Sequence, residues 1–214
     1  MIFNLSKINS IANVFVSELR DIHIQKDALR FRTNLERLGA FFAYEISKEL
    51  LYSPISTQTP LGIANSQQLA HQPVLATILR AGLPLHSGML SVFDKAQSTF
   101  VTAYRKTNQD GSFAIEIEYI STADLTDKIV IISDPMLATG LSMVLCCKEL
   151  LAKYKIKELH VVAVIASTQG IKHVQSNLPE AKIWVGAIDE EMTSKSYIVP
   201  GLGDAGDLAY GVKL

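Results

Sequence analysis

Residues 129–142 read IVIISDPMLATGLS, and residue types in this order can hold a sugar phosphate. A run of Ile and Val ends at Ser133. An acidic residue follows at once, then a short loop of small residues that leads into a helical pattern. A helix that begins there offers free backbone N–H groups and the positive end of its dipole, and both suit a phosphate. Thr139, Gly140 and Ser142 supply two hydroxyl donors and one position with no side chain to block approach. Asp134 cannot serve the phosphate, because like charges repel, but it can accept hydrogen bonds from sugar hydroxyls. The same residues would also make a tight strand-to-helix turn capped by Asp134, and this stretch alone does not separate the two readings.

A second stretch, VLATILRAGL at residues 74–83, places Arg80 where an apolar strand ends. A guanidinium there can bind phosphate oxygens through two bonds at once. Ala81 and Gly82 let backbone amides approach closely. A third stretch, YIVPGLGDAGDLAYG at residues 197–211, packs three glycines and two aspartates into Gly201–Asp207. Glycines alone predict no more than an irregular loop.

The elements that must position these residues follow from the apolar patterning. Met1 to Lys26 gives no clear pattern. From Ala28 to Leu50, Phe31, Leu35, Leu38, Phe42 and Ile46 recur at helical spacing. Pro54 to Ser66, rich in Ser, Thr, Pro and Gly, reads as loop. Pro73–Leu79, Lys128–Ser133, His160–Ala166 and Lys182–Ile188 are short apolar runs without alternation, as strands buried on both faces require. Helical stretches lie between them at Leu85–Lys95, Gly140–Tyr154 and Gln169–Asn177. Strand alternating with helix predicts an α/β fold with a mostly parallel central sheet flanked by helices. Ser98–Arg105 and Phe113–Ser121 flank the turn signal Asp110-Gly111 and predict an antiparallel hairpin, or flap. No composition break marks a second domain, so residues 1–214 are expected to form one.

Bulk properties narrow the function classes. The chain is 48% hydrophobic and 19% charged, an ordinary globular composition. A net charge of −1 lacks the basic excess of a general nucleic-acid binder. No secretory leader pattern and no run long enough to span a bilayer is found, which predicts a cytoplasmic protein with no membrane partner. Cys146 and Cys147 are adjacent in a helical pattern and are expected as reduced thiols near a core. His23, His71, His86, His160 and His173 show no metal-ligand spacing, and Trp184 reads as core.

The letters themselves say more. Asp134-Pro135-Met136-Leu137-Ala138-Thr139-Gly140 resembles the loop that binds phosphoribosyl pyrophosphate (PRPP) in type I phosphoribosyltransferases, and closely that of the uracil phosphoribosyltransferase family. Ile78-Leu79-Arg80-Ala81-Gly82-Leu83 is similar to that family's pyrophosphate loop, and Tyr104-Arg105 to the base of its flap. Residues 197–211 resemble its uracil-recognition loop. The resemblance implies the type I phosphoribosyltransferase fold with a C-terminal base-binding hood. It implies transfer of ribose 5-phosphate from PRPP to uracil N1, giving UMP and pyrophosphate. PRPP would be held by Arg80, Arg105, Asp134, Pro135, Met136, Leu137, Ala138, Thr139, Gly140, Leu141, Ser142 and Asp204. Uracil would be held by Ile198, Gly203, Asp204 and Ala205, with Asp134 and Arg105 as catalytic residues.

Uracil presents O2 and O4 as acceptors and N3–H as a donor. Backbone amides and carbonyls of a tight loop can match that edge and reject cytosine, whose pattern differs. Mg²⁺ would be held mainly through PRPP and water, with no protein ligand set. GTP as an allosteric activator and a homodimer or larger homo-oligomer also come with the family. Leu141 stands where the family usually has a second glycine, and Leu208 where it has Arg or Lys. Three rivals stand beside this reading: an RNA-binding regulator on the same scaffold, a transferase for another base, and a ligand sensor without turnover. The charge argues against the first, and Ser133 before Asp134 in place of paired acids argues against the second.

Overall fold

The computed structural model describes residues 1–107 and 113–213, and of residues 104–107 and 113–116 the backbone alone. In chain order the elements are β1 (Ile2–Asn4), α1 (Ile11–Arg20), α2 (Ala28–Ser47), β2 (Tyr52–Thr59), β3 (Gly62–Leu69), β4 (Val74–Leu79), α3 (Leu83–Leu90), β5 (Gln97–Thr107) and β6 (Phe113–Ser121). They continue with β7 (Ile129–Ser133), β8 (Met136–Leu137), α4 (Leu141–Lys153), β9 (Glu158–Ser167), α5 (Thr168–Asn177), β10 (Lys182–Asp189), β11 (Glu191–Met192), β12 (Ile198–Val199) and α6 (Ala205–Tyr210).

The central sheet runs β1-β10-β9-β7-β4-β5-β6, and every neighbouring pair is parallel except β5 with β6. The chain leaves β4 toward β5 on one side and later returns as β7 on the other side of β4. In an open parallel sheet, the carboxyl ends of two strands on either side of such a reversal leave a crevice for ligands. Arg80 follows β4 and Asp134 follows β7, so the two candidate loops stand side by side, with Thr77 and Ser133 in register beneath them.

Strand side chains alternate between the two faces. Leu75, Ile131, Val162, Val164 and Trp184 face a core shared with α1, α2 and α3. Ala76, Val130, Ile132, Val161 and Val185 face a second core under α4 and α5. Helix α2 begins at Asp27, whose carboxylate accepts from the N–H groups of Leu29 and Arg30, each at 3.0 Å. It buries Phe31, Leu35, Leu38, Phe42 and Ile46, each contributing roughly 1.5–3 kcal/mol over exposure. Cys146 and Cys147 are free and buried in α4. Trp184 stacks on Phe3 and donates from Nε1 to Nδ1 of His160, which in turn sits 2.8 Å from Glu158.

Two segments depart from the patterning. Residues 54–66, expected as loop, lie in the antiparallel hairpin β2–β3. Its residues are mostly exposed on both faces, with the few apolar ones not in alternation, so no pattern betrays the strands; the backbone ladder forms regardless. The unreadable first segment forms β1 and α1, the latter capped by Ser10 and Asn13. α3 ends at Leu90, short of the expected Lys95. The turn signal Asp110-Gly111 lies outside the described residues, although the strands that flank it pair as expected.

Helices α2 and α3 cross at glycines. A Cβ on Gly88 would stand 1.9 Å from the carbonyl oxygen of Glu36, and one on Gly39 2.2 Å from that of Leu85. Alanine favours a helix over glycine by about 1 kcal/mol, so helix propensity predicts that Gly88→Ala stabilises. The crossing predicts the opposite: a loss of roughly 1–3 kcal/mol, read as a lower urea midpoint with an unchanged slope.

Candidate active site

The floor of the site is a set of hydroxyls buried between two strand ends. Thr77 Oγ1 donates to the Ser133 carbonyl at 3.1 Å, and Ser133 Oγ reaches the Ala76 carbonyl at 3.3 Å. Gly82 packs directly above. A Cβ there would meet Thr77 Oγ1 at 2.0 Å and the Ile78 carbonyl at 2.7 Å, so the loop after β4 can seat itself only without a side chain.

The loop after β7 is held just as closely. Asp134 N–H donates to the Val162 carbonyl at 3.0 Å, and β8 then pairs with β9. Gly140 ends the loop in the left-handed region at φ 76°, a conformation that favours glycine, and α4 starts at Leu141. Thr139 Oγ1 accepts from the Leu141 N–H at 3.4 Å. The Leu141 side chain is 40% exposed and lines neither cavity of the site. The loop is supported from behind by the start of α5. Ser167 Oγ donates to the Ala138 carbonyl at 2.5 Å and accepts from Gly170 N–H at 2.8 Å. A Cβ on Gly170 would stand 2.4 Å from that same carbonyl.

Above these loops lie two adjoining cavities. The smaller, about 150 Å³, is lined by Met136 and Ala138 on one side and by Ile198, Gly203 and Ala205 on the other. The larger, about 490 Å³, is lined by Leu79, Ala103, Ser142, Lys195 and Lys213. Both share Ala81, Asp134, Ser196, Tyr197, Asp204 and Gly206. A chamber with hydroxyl, ammonium and carboxylate groups thus opens into a small, largely apolar slot. Another opening of about 520 Å³, lined by Val74, Gln97 and Ile129 at the amino ends of the strands, shares no residue with this site.

A sequence model of the family described as uracil phosphoribosyltransferase matches residues 8–212. The chain is 51% identical over 214 residues to a uracil phosphoribosyltransferase of Porphyromonas gingivalis, covering 100% of this chain and 99% of that protein. It is 37% identical over 201 residues to one of Pyrococcus furiosus, covering 92% of this chain and 84% of that one. The chain belongs to the uracil phosphoribosyltransferase family. A solved protein of Aquifex aeolicus superposes with a TM-score of 0.88 at 32% identity, each chain covered over 100% of its length. A hypoxanthine phosphoribosyltransferase of Staphylococcus aureus shares the fold, with a TM-score of 0.50 at 13% identity over 86% of this chain and 84% of that one.

The residues expected from this family's motifs are placed as follows. Asp134, Met136, Ala138, Ser142, Ile198, Gly203, Asp204 and Ala205 all line the paired cavities. Pro135 and Leu137 turn inward. The Leu137 side chain belongs to the core, and Pro135 has no N–H and a carbonyl that already accepts from the Val164 and Ile165 N–H groups, so neither side chain faces a ligand and Pro135 offers it no free polar group. Asp204 caps α6, accepting from Gly206 and Asp207 N–H groups at 2.9 and 3.0 Å through Oδ1. Arg80 stands at the rim, where Nη2 donates to the Gly211 carbonyl at 3.1 Å and lies 3.4 Å from Asp207 Oδ1. Its buried Nε finds no partner among the described residues. The backbone of Arg105 pairs with Ile115 in the flap, and its side chain lies outside the described residues.

Lys195, Ser196 and Lys213 line the site without a family motif to announce them, and Tyr197 lines it at the first position of the hood segment, where no contact was expected of it. Ser196 turns the chain there at φ 63°. Ser167 and Gly170 do not touch the cavities and could be found only once β9 and the loop were seen together.

Asp134 is the electrostatic focus. Burial pushes its carboxyl up to about 7, against the bond from Met136 N–H and with help from the charge of Asp204; Lys213 opposes the rise. The folded chain therefore binds this proton more tightly than the unfolded chain. Its contribution is most favourable below the ordinary carboxyl value of 3.8, declines as pH rises toward 7, and stays unfavourable above that. Replacing Asp134 with Asn removes the buried charge and keeps the shape. The variant should gain about 1–3 kcal/mol over the parent at pH 8 and little near pH 4, checked by thermal unfolding across that range.

Proposed function

We propose that the larger cavity takes PRPP and the smaller one takes uracil, so that the two meet at Asp134. The reaction is the family's: uracil N1 attacks C1 of the ribose, the bond from C1 to pyrophosphate breaks, and UMP and pyrophosphate leave. The observation that carries the assignment is the pair of cavities sharing Asp134, the larger mainly polar and the smaller mainly apolar, above the loops after β4 and β7.

In this reading the 5′-phosphate takes the N–H groups at the start of α4 together with Thr139 and Ser142. Asp134 accepts from the ribose hydroxyls. Arg80 takes a pyrophosphate oxygen through its unpartnered Nε, and Lys195 and Lys213 add positive charge to the same chamber. Arg105 belongs to the same role through the flap, whose closure would exclude water. Positive charge develops on the ribose ring and negative charge on the departing pyrophosphate, so stabilising the leaving group's growing charge matters as much as binding PRPP. With a folded value near neutrality, Asp134 is also the candidate acceptor for the proton lost from uracil N1.

No group of three or more His, Cys, Asp or Glu converges among the described residues. Asp134 and Asp204 share the chamber, a donor set that suits a hydrated Mg²⁺ carried in on PRPP rather than a protein cage. When bound there, Mg²⁺ would supply charge neutralisation for the pyrophosphate. Uracil lies between Met136 and Ala138 below and Ile198, Gly203 and Ala205 above, its polar edge met by backbone groups of the hood.

We place this chemistry in pyrimidine salvage in the cytoplasm. Among the described residues no helix is long and apolar enough to cross a membrane. Self-association into a homodimer or larger oligomer is supported by the β2–β3 hairpin, whose Leu61 is 99% and Ile63 72% exposed. GTP activation is carried by the family resemblance alone.

Incubation with PRPP, Mg²⁺ and labelled uracil, cytosine, orotate or hypoxanthine should give nucleotide from uracil only. Formation of nucleotide from another base in preference would overturn the assignment of the hood. Arg80→Ala should lower kcat/KM by about 10²–10³-fold. PRPP binding, followed calorimetrically, should weaken as pH falls below 7, because a protonated Asp134 accepts poorly from ribose. Asp134→Asn should bind more weakly and lack that part of the pH dependence, which separates it from protonation of the phosphates.

A further inference from the structure

The hood's turn is clamped by an ion pair that does not touch either cavity. Arg20 is the last residue of α1 and Asp189 the last of β10. Arg20 Nη1 donates to Asp189 Oδ2 at 2.7 Å and Nη2 to Oδ1 at 2.8 Å, a two-bond pair. Nη1 also donates to the Gly201 carbonyl at 2.9 Å, and Asp189 Oδ2 accepts from the Gly201 N–H at 2.9 Å. Both polar groups of one residue are thus fixed by the two halves of one pair. Gln25 adds Nε2 bonds to the Leu19 carbonyl at 2.9 Å and the Leu202 carbonyl at 3.2 Å.

Gly201 is the pivot of the hood. It holds φ 56°, and a Cβ there would stand 2.2 Å from the Ile198 carbonyl. On either side of it are Ile198 and then Gly203 and Ala205, which line the small cavity. A glycine-rich turn has many conformations of similar energy, so something outside it must select one. The Asp189 side chain is 7% exposed and that of Arg20 22%. A pair this far from water stabilises a fold weakly, because desolvation offsets most of its attraction; what it does enforce is direction.

We infer that Arg20 and Asp189 are positioning residues for base recognition: they set the hood's backbone so that its amides and carbonyls meet the uracil edge. The inference rests on the reading of the small cavity as the uracil site. A lysine at position 20 presents one point charge and cannot bond both carboxylate oxygens and the Gly201 carbonyl in one plane. An asparagine at 189 keeps the shape but loses the charge and one acceptor.

The test measures KM for uracil, KM for PRPP, kcat and thermal midpoint in Arg20→Lys, Arg20→Met and Asp189→Asn, with Ile198→Ala beside them. The expected result is a KM for uracil raised about ten- to a hundredfold in Arg20→Met, with a smaller rise in Arg20→Lys and Asp189→Asn. KM for PRPP should hardly change. Should Arg20→Met fail to fold, the two conservative variants carry the test. The inference is overturned if folded variants keep the parental KM for uracil while Ile198→Ala raises it. It is also overturned if both KM values rise together in step with a lowered thermal midpoint, as a merely structural role would give. If Ile198→Ala and the clamp variants all leave KM for uracil unchanged, the uracil-site reading falls and the inference falls with it.

Discussion

How closely the backbone after β4 can approach the end of β7 is the constraint on which the site depends. The sheet order puts the two strands side by side, but adjacency alone would leave two loops apart, each with its own hydration. The missing side chain of Gly82 lets one loop settle onto the Thr77 hydroxyl and Ser133 carbonyl beneath the other. Only then do Ala81 and Asp134 line the same cavities. A Cβ at 2.0 Å from a buried hydroxyl has nowhere to go, since that hydroxyl is itself committed to the neighbouring strand.

The closeness has an electrostatic consequence. Bringing Asp134 out of water raises its carboxyl toward 7. The site therefore holds its central acid in a state that costs stability at neutral pH, and the hydroxyls of the proposed ribose are donors that would relieve it. Stability given up at a site in order to have a group ready is a common trade. Here the surrounding elements can absorb it. Residues of β4, β7 and β9 are buried on both faces, and two separate cores flank the sheet.

Much of this was legible in the sequence, and the physics says why. Strands buried on both faces must be continuous apolar runs, so β4, β7, β9 and β10 were visible within a residue or two. The helix pattern over Phe31, Leu35, Leu38, Phe42 and Ile46 named the face of α2 that the core uses. Of the residues named from the letters, Asp134, Met136, Ala138, Ser142, Ile198, Gly203, Asp204 and Ala205 line the cavities, whereas Thr139, Gly140 and Leu141 do not. The β2–β3 hairpin was not legible, because strands exposed on both faces leave no hydrophobic signature. Lys195 and Lys213 were not, because a lysine in a loop looks the same whether it faces a ligand or water. Nor were Ser167, Gly170, Arg20 and Asp189, whose partners are distant in the chain: Arg20 and Asp189 are separated by 169 positions.

Those distant partners share a location, and that bears on how the two halves of the site stay in register. Ser167 ends β9 and holds the loop after β7 through the Ala138 carbonyl. Asp189 ends β10 and holds the hood through Gly201. The two residues are paired in register on adjacent strands, and Thr168 Oγ1 stands 3.5 Å from the Asp189 carbonyl. Strands in a buried parallel sheet cannot slide without breaking a ladder, so the distance between these anchors is fixed by the sheet and not by the loops. The departures at Leu141 and Leu208 sit on helices rather than at these anchors, on the first turn of α4 and within α6. A glycine could be exchanged for leucine at 141 because the left-handed residue that turns the chain is Gly140, one position earlier. The spacing between the loop after β7 and the hood is thus held by strand ends, and most of the cavity lining sits on the loops that these ends anchor.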